Sequence, residues 1–167
     1  MISYNRIGHF GRLGNQLFQF AGTIGIARKL GYEVKFPIEN ITTPVREQFS
    51  DGKLLDVTFD VPKVFNIPSE FLAPKQEITT KGVVSEMGFC FDEILFKISD
   101  NVDLLGYLQT DKYFAHVEDE IRSILTFKED IRLAAIHSFP KLNHPTISIH
   151  LRRGDYQNLQ DLSLIHI

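Results

Sequence analysis

The chain has one cysteine and no tryptophan. A lone cysteine cannot build a disulfide framework, which excludes a small disulfide-stapled fold and fits a reducing compartment. Cys90, flanked by Met87-Gly88-Phe89 and Phe91, reads as a small buried hydrophobe rather than a reactive thiol. Without Trp, the fourteen Phe must supply most of the aromatic core. No run approaches the ~20 apolar residues that span a bilayer. The start, Met1-Ile2-Ser3-Tyr4-Asn5-Arg6, lacks the charged-then-apolar layout of a secretory leader. The net charge is −3 and Lys and Arg are spread out, so no nucleic-acid arm is present and any anion binding must come from a local site. There is no Asp-x-Asp pair and no convincing His/Cys ligand cluster, so no metal is expected. A P-loop and a G-x-G-x-x-G fingerprint are both missing. Asn40-Ile41-Thr42 fits the glycosylation triplet, but without a leader it reads as a chance match.

What is present suits a soluble globular protein. The 167 residues are 43% hydrophobic and 23% charged. A chain of this length can bury roughly 68–70% of its unfolded surface. Residues 2–9 read as a strand that stops at Gly11. Leu17, Phe18, Ala21, Ile24, Ala27 and Leu30 form a helical stripe over 15–30, and Gly31 supplies a stop. Glu33-Val34-Lys35-Phe36 alternates as a second strand closed by Pro37. Strand, loop, helix, turn and strand make a βαβ unit, so a parallel α/β sheet is expected.

Residues 39–82, with four prolines, read as loops with short elements. One strand is expected within 83–98 and another over 104–109. Asp111 stands where an N-cap is useful, ahead of an apolar stripe at Tyr113, Phe114, Val117, Ile121, Ile124 and Leu125. A short helix is expected over 129–138. Pro140 and Pro145 flank a connector, and Thr146–Leu151 is strongly β-prone.

Two segments carry chemistry. The 146–151 strand runs into Arg152-Arg153-Gly154-Asp155-Tyr156. In open α/β sheets ligands sit beyond the carboxyl ends of strands. Guanidinium groups there match phosphate oxygens and stay charged. Gly154 permits a tight turn, and Asp155 suits orienting an arginine or capping the next turn. The plainer reading is a polar strand end with a surface Arg–Asp pair, which contributes little to stability. The second segment, Gly11-Arg12-Leu13-Gly14-Asn15-Gln16, joins the first strand to the first helix. A helix amino terminus offers unpaired N–H groups and a favourable dipole to an anion. Asn15 could cap that helix or hydrogen-bond a sugar hydroxyl, and the plainer reading is a turn with an Asn cap.

Together the segments resemble one family. Gly-Arg-Leu-Gly-Asn-Gln-Leu-Phe-Gln-Phe-Ala at 11–21 is similar to the opening of the α-1,2-fucosyltransferases. His-Leu-Arg-Arg-Gly-Asp-Tyr at 150–156 resembles the His-x-Arg-Arg-x-Asp motif shared with α-1,6- and protein O-fucosyltransferases. Leu105-Gly106-Tyr107-Leu108-Gln109-Thr110-Asp111-Lys112-Tyr113-Phe114 is similar to the family's Gly-Tyr-x-Gln-Ser-x-Lys-Tyr-Phe stretch.

The resemblance implies a GT-B architecture, with an amino-terminal Rossmann-like α/β domain over 1–144 on the acceptor side and the start of a GDP-fucose-binding domain over 145–161. It implies inverting transfer of L-fucose from GDP-fucose to a galactoside glycan, with no cofactor and no obligatory metal. Arg152 would be the catalytic residue, neutralising the departing diphosphate. His150, Arg153 and Asp155 would shape the donor pocket, with Arg12, Gly14 and Asn15 facing the donor from the first domain. His9 is a candidate general base, and His116, His137 and His144 have no stronger claim.

The family's further carboxy-terminal donor motifs lie beyond these residues. Leu162-Ser163-Leu164-Ile165-His166-Ile167 resembles a translated sequencing adapter, so 162–167 is expected to be non-native and the chain to be an inactive fragment. A bacterial-type enzyme in the cytoplasm is expected, with association at the inner membrane face. Three other readings stand beside this one: another fucosyltransferase sharing the Arg-Arg motif, a non-catalytic phosphate- or sugar-binding module, and a plain α/β scaffold with no site.

Overall fold

A computed structural model describes residues 1–48, 52–88, 90–139 and the single position 147. The chain begins with β1 (Ile2–Ser3), α1 (Leu13–Leu30), β2 (Val34–Pro37) and α2 (Glu39–Thr42), followed by a hairpin of β3 (Val45–Gln48) and β4 (Leu54–Val57). Then come α3 (Val61–Val64), β5 (Leu72–Ala73), β6 (Gly82–Ser85) and β7 (Val102–Leu105). Helices α4 (Glu118–Ile124) and α5 (Glu129–Ser138) close the described part, and short 3₁₀ turns fill several connections.

Five strands form one parallel sheet in the order β5-β2-β1-β7-β6. Ile2 is in register with Val34 on one side and with Val102 on the other. The result is the parallel α/β sheet expected from the βαβ pattern, compatible with a Rossmann-like fold. Successive strand residues face opposite sides. Ile2, Val34, Phe36, Val102 and Leu104 therefore share the face that meets α1, and all five join the buried core with Phe20 and Ile24. Phe20 sits between Phe36, Phe59 and Phe71, with ring centroids 4.8, 6.2 and 6.2 Å away. Phenylalanine does supply the aromatic core.

Helix α1 is buried almost continuously from Gln19 to Ala27. The sheet covers one side and the turns around 93–97 and 111–117 cover another. Gly25 allows the second contact, since a Cβ there would lie 2.1 Å from the Tyr113 carbonyl oxygen. Gly31, at φ 72°, ends the helix as expected, with its N–H turned back to the last-turn carbonyls. Arg28 in that turn makes a bidentate pair with Glu120, tying α1 to α4.

Several expectations change. The first strand is two residues long because the chain turns at Tyr4, where the Ile7 N–H donates to the Tyr4 carbonyl (3.1 Å). Helix α1 starts at Leu13, so Asn15 lies inside the first turn and does not cap it. The apolar stripe over 113–125 is not one helix: two 3₁₀ turns precede α4, and Thr110 rather than Asp111 caps the first of them. The strand expected at 104–109 lies at 102–105, and 106–109 is the loop after it. Cys90 is exposed, not buried. Asn40, the glycosylation-type asparagine, is buried and donates to the carbonyls of Asn5 and Ile7 (both 2.9 Å). The 129–138 helix appears as expected. The 144/145 boundary, the 146–151 strand apart from Ile147, and the 162–167 tail lie outside the described residues. Among the described residues no helix is long and apolar enough to cross a membrane.

Gly25 and Gly14 make a contrasting pair, because nothing lies within 4 Å of a Cβ placed on Gly14. Gly25→Ala is expected to cost about 3 kcal/mol or more through overpacking against backbone. Gly14→Ala is expected to be neutral or to stabilise by up to about 1 kcal/mol through helix propensity. Denaturant melts of the two variants check both values.

Candidate functional site

The strand order reverses at β1: β2 and β5 lie on one side, β7 and β6 on the other. Ligands in open α/β sheets bind at such a point, beyond the carboxyl ends of the strands. Two loops meet there, Tyr4–Arg12 after β1 and Gly106–Gln109 after β7. They hold parts of two of the three segments that carried the family resemblance, Gly11-Arg12 and Gly106–Gln109.

The first loop is held from beneath by α1. Gln16 and Gln19, one helical turn apart, are both fully buried. Gln16 Nε2 donates to the carbonyls of Gly11 (3.2 Å) and Thr58 (2.9 Å), and its Oε1 accepts from the Asp60 N–H (2.7 Å). Gln19 Nε2 donates to the carbonyls of Phe10 (3.1 Å) and Gly106 (3.4 Å), so one side chain joins both loops. Tyr4, also fully buried, donates its hydroxyl to the Gly106 carbonyl (2.5 Å) and accepts from the Gly106 N–H (3.1 Å). Burial is the main cause that pushes the Tyr4 pKa up to about 12, so it serves as a neutral strut.

The second loop hangs on Glu86. Its Oε2 accepts from the N–H groups of Tyr107 (3.0 Å) and Leu108 (2.9 Å), and its Oε1 accepts from the Tyr113 hydroxyl (3.0 Å). This clamp holds Leu108 at φ 51°, an uncommon conformation for a residue with a side chain. Leu108 packs against Gly22 of α1, where a Cβ would lie 3.0 Å from Leu108 Cβ. Gly106 is required at its position, because a Cβ there would lie 2.6 Å from Glu86 Cβ.

With both loops fixed, the polar side chains at the edge are placed. The Asn15 side chain folds over Gly11, which at φ 83° has no room for a Cβ: the Asn15 Nδ2 would be 2.0 Å away. Gln109 Nε2 donates to Asn15 Oδ1 across the loops (2.7 Å). Arg12 is the N-cap residue, but its side chain does not cap the helix. No acidic residue sits in the first turn of α1, and Gly14 there is exposed. The N-cap side chain thus leaves the early N–H groups of α1 uncapped, beside an arginine and an amide, while the Glu47 carboxylate accepts from the Gly11 N–H just before them. His9 lies on the same loop, its pKa lowered by burial first and then by the charges of Lys75 and Arg6, so it is neutral at physiological pH.

The structure therefore brings together Arg12, Gly14 and Asn15. His150, Arg152, Arg153 and Asp155 lie outside the described residues. Sequence reasoning missed Gln109 as the partner of Asn15, although the segment holding it had been singled out. It also missed Glu86, for which no local pattern gave a signal. Among the described residues no three His, Cys, Asp or Glu side chains form a metal-binding group.

Glu86→Ala removes the acceptor of two loop N–H groups and is expected to cost about 2–4 kcal/mol. Glu86→Gln keeps an acceptor oxygen and is expected to cost about half as much. Chemical denaturation of both variants checks the ranking.

No family model matches the chain, and no solved structure matches it. The chain is 27% identical over 169 residues to galactoside alpha-(1,2)-fucosyltransferase 1 of Bos taurus, an alignment covering 91% of this chain and 40% of that protein. The chain thus spans less than half the length of this curated relative. This is the similarity of a distant homologue.

Proposed function

We propose that this chain is the amino-terminal α/β part of a GT-B glycosyltransferase. It moves L-fucose from GDP-fucose to a hydroxyl of a galactoside glycan, in α-1,2 linkage, with inversion and without an obligatory metal. One observation carries the proposal: the uncapped amino terminus of α1, with Asn15 held by Gln109, lies where the strand order reverses. That is where an open α/β sheet receives a phosphate-bearing ligand. The distant similarity to a galactoside alpha-(1,2)-fucosyltransferase supports this reading.

In this reading Arg12, Gly14 and Asn15 face the donor from the first domain. His150, Arg152, Arg153 and Asp155 belong to the start of a second domain at 145–161, and 162–167 is a non-native tail. The acceptor oxygen forms a bond to the anomeric carbon as the carbon–oxygen bond to the diphosphate breaks, and the electron pair leaves with GDP. Arg152 stabilises the charge that develops on the diphosphate. His9, neutral beside two cations, takes the acceptor proton. The enzyme works in the cytoplasm, at the inner face of the membrane, and the 167 residues alone are inactive.

The test is donor turnover by a full-length protein carrying this segment. Arg152→Ala is expected to lower turnover about 10²–10³-fold, as loss of one charge-stabilising donor does. Unchanged turnover in a folded Arg152→Ala protein overturns the assignment. Titration calorimetry of the 167-residue chain is expected to show GDP-fucose affinity weaker than micromolar, and sub-micromolar binding contradicts the fragment reading.

A further inference from the structure

The carboxyl edge of the sheet holds a second polar group, away from Asn15. Ser3 and Asp103 are register partners, so they share the face opposite α1. Both are buried. The connection from β5 to β6 runs across the sheet against the direction of the β1–β2 crossover. The right-handed rule places it on that opposite face. It is only the segment 74–81, and Lys75 stands at its start.

Arg6 follows β1 and Lys75 follows β5, with only β2 between the two strands. Their backbones are pinned. The Asn5 N–H donates to Asp103 Oδ1 (2.7 Å), and buried Asn40 holds the Asn5 and Ile7 carbonyls. The His9 N–H closes on the Arg6 carbonyl (2.9 Å). The Lys75 N–H donates to both carboxylate oxygens of Glu39 (3.1 and 3.0 Å). Yet among the described residues neither the Arg6 nor the Lys75 side chain makes an ion pair. Two carboxylates lie nearby, and each is engaged by backbone: Asp103 by the Asn5 N–H and Glu39 by the Lys75 N–H.

We propose that Arg6 and Lys75 form an anion subsite that selects an acceptor sugar carrying a negative group, a carboxylate or a phosphate, and sets its hydroxyl beside His9. Calling the ligand an acceptor rests on the proposed function; the anion site does not. Both cations are exposed at the carboxyl edge of the sheet, beyond β1 and β5, and an anion lying across the end of β2 can take donors from both. Both charges bear on His9, so an anion that neutralises them raises the basicity of the imidazole. The groups acting on His9 are Lys75 and Arg6; Asp103 feels the same two cations from the buried side.

The test uses the 167-residue chain, with the His9 ring followed by NMR titration and assigned through His9→Asn. The probes are galactose, galacturonic acid and galactose 6-phosphate, without GDP-fucose. At least one acidic sugar is expected to bind and raise the His9 pKa, more weakly in 1 M salt, while galactose does neither. The tighter of the two acids identifies the group. Arg6→Gln and Lys75→Gln are each expected to raise the ligand-free His9 pKa and weaken the acidic sugar about three- to fivefold, and the double variant to abolish the preference. Equal binding of all three sugars, binding of none, or binding indifferent to both substitutions overturns the proposal. Both positions are exposed, and a thermal melt confirms that the variants fold. Failure here leaves the GDP-fucose reading standing with a neutral acceptor. Failure of the Arg152→Ala test leaves the anion subsite standing.

Discussion

The site depends on two buried carboxamides. A loop that runs over the end of a central strand brings backbone carbonyls into a region without water, and each needs a donor. Gln16 and Gln19 supply those donors from the first turns of α1, and Gln16 also accepts from the Asp60 N–H. A neutral amide suits this place. It reaches several backbone groups without the desolvation cost of a buried charge. Gln19 Oε1 is nevertheless left buried without a partner, so the loop carbonyls are satisfied at the expense of one side-chain oxygen. With Gln19 bridging the Phe10 and Gly106 carbonyls, the two loops become one surface, and only then does the Asn15–Gln109 pair have a fixed position.

This sorts the opening motif by role. Gly11, Gln16, Gln19 and Phe20 hold the fold, whereas Arg12, Gly14 and Asn15 face outward or sit at the junction. Family resemblance weights all of them alike, and burial separates them. The same division runs through the second segment: Gly106 and Leu108 fit tightly against Glu86 and α1, and Gln109 projects.

Much of the scaffold was legible in the residues. The α1 stripe, its Gly31 stop, the βαβ order and the 129–138 helix follow from periodicity and punctuation. Other features follow from contacts between distant segments, which periodicity does not encode. β7 begins earlier than its apolar run suggests because Asp103, a buried carboxylate bonded to the Asn5 N–H, interrupts that run. The 113–125 stripe is real, but the chain there must pass its Tyr113 carbonyl against Gly25, and it does so in 3₁₀ turns before α4. Cys90 has apolar neighbours in sequence, yet Met87 beside it is exposed as well. Glu86 gave no sign at all, since a glutamate after a strand looks the same whether it faces solvent or clamps a loop.

The electrostatics of the carboxyl edge follow from the same backbone constraints. The Asn5 N–H beyond β1 needs an acceptor, and Asp103 provides it from the neighbouring strand. That bond keeps the carboxylate directed inward, and burial outweighs the lowering effect of Arg6 and Lys75 on its pKa. Asp103 therefore makes no ion pair with either cation, and both charges reach the imidazole of His9. A salt bridge from Asp103 to Arg6 would free the Asn5 N–H and shield His9. It would undo the loop anchor and weaken the charge part of the lowering at His9, while the larger part, burial of the imidazole, would stay.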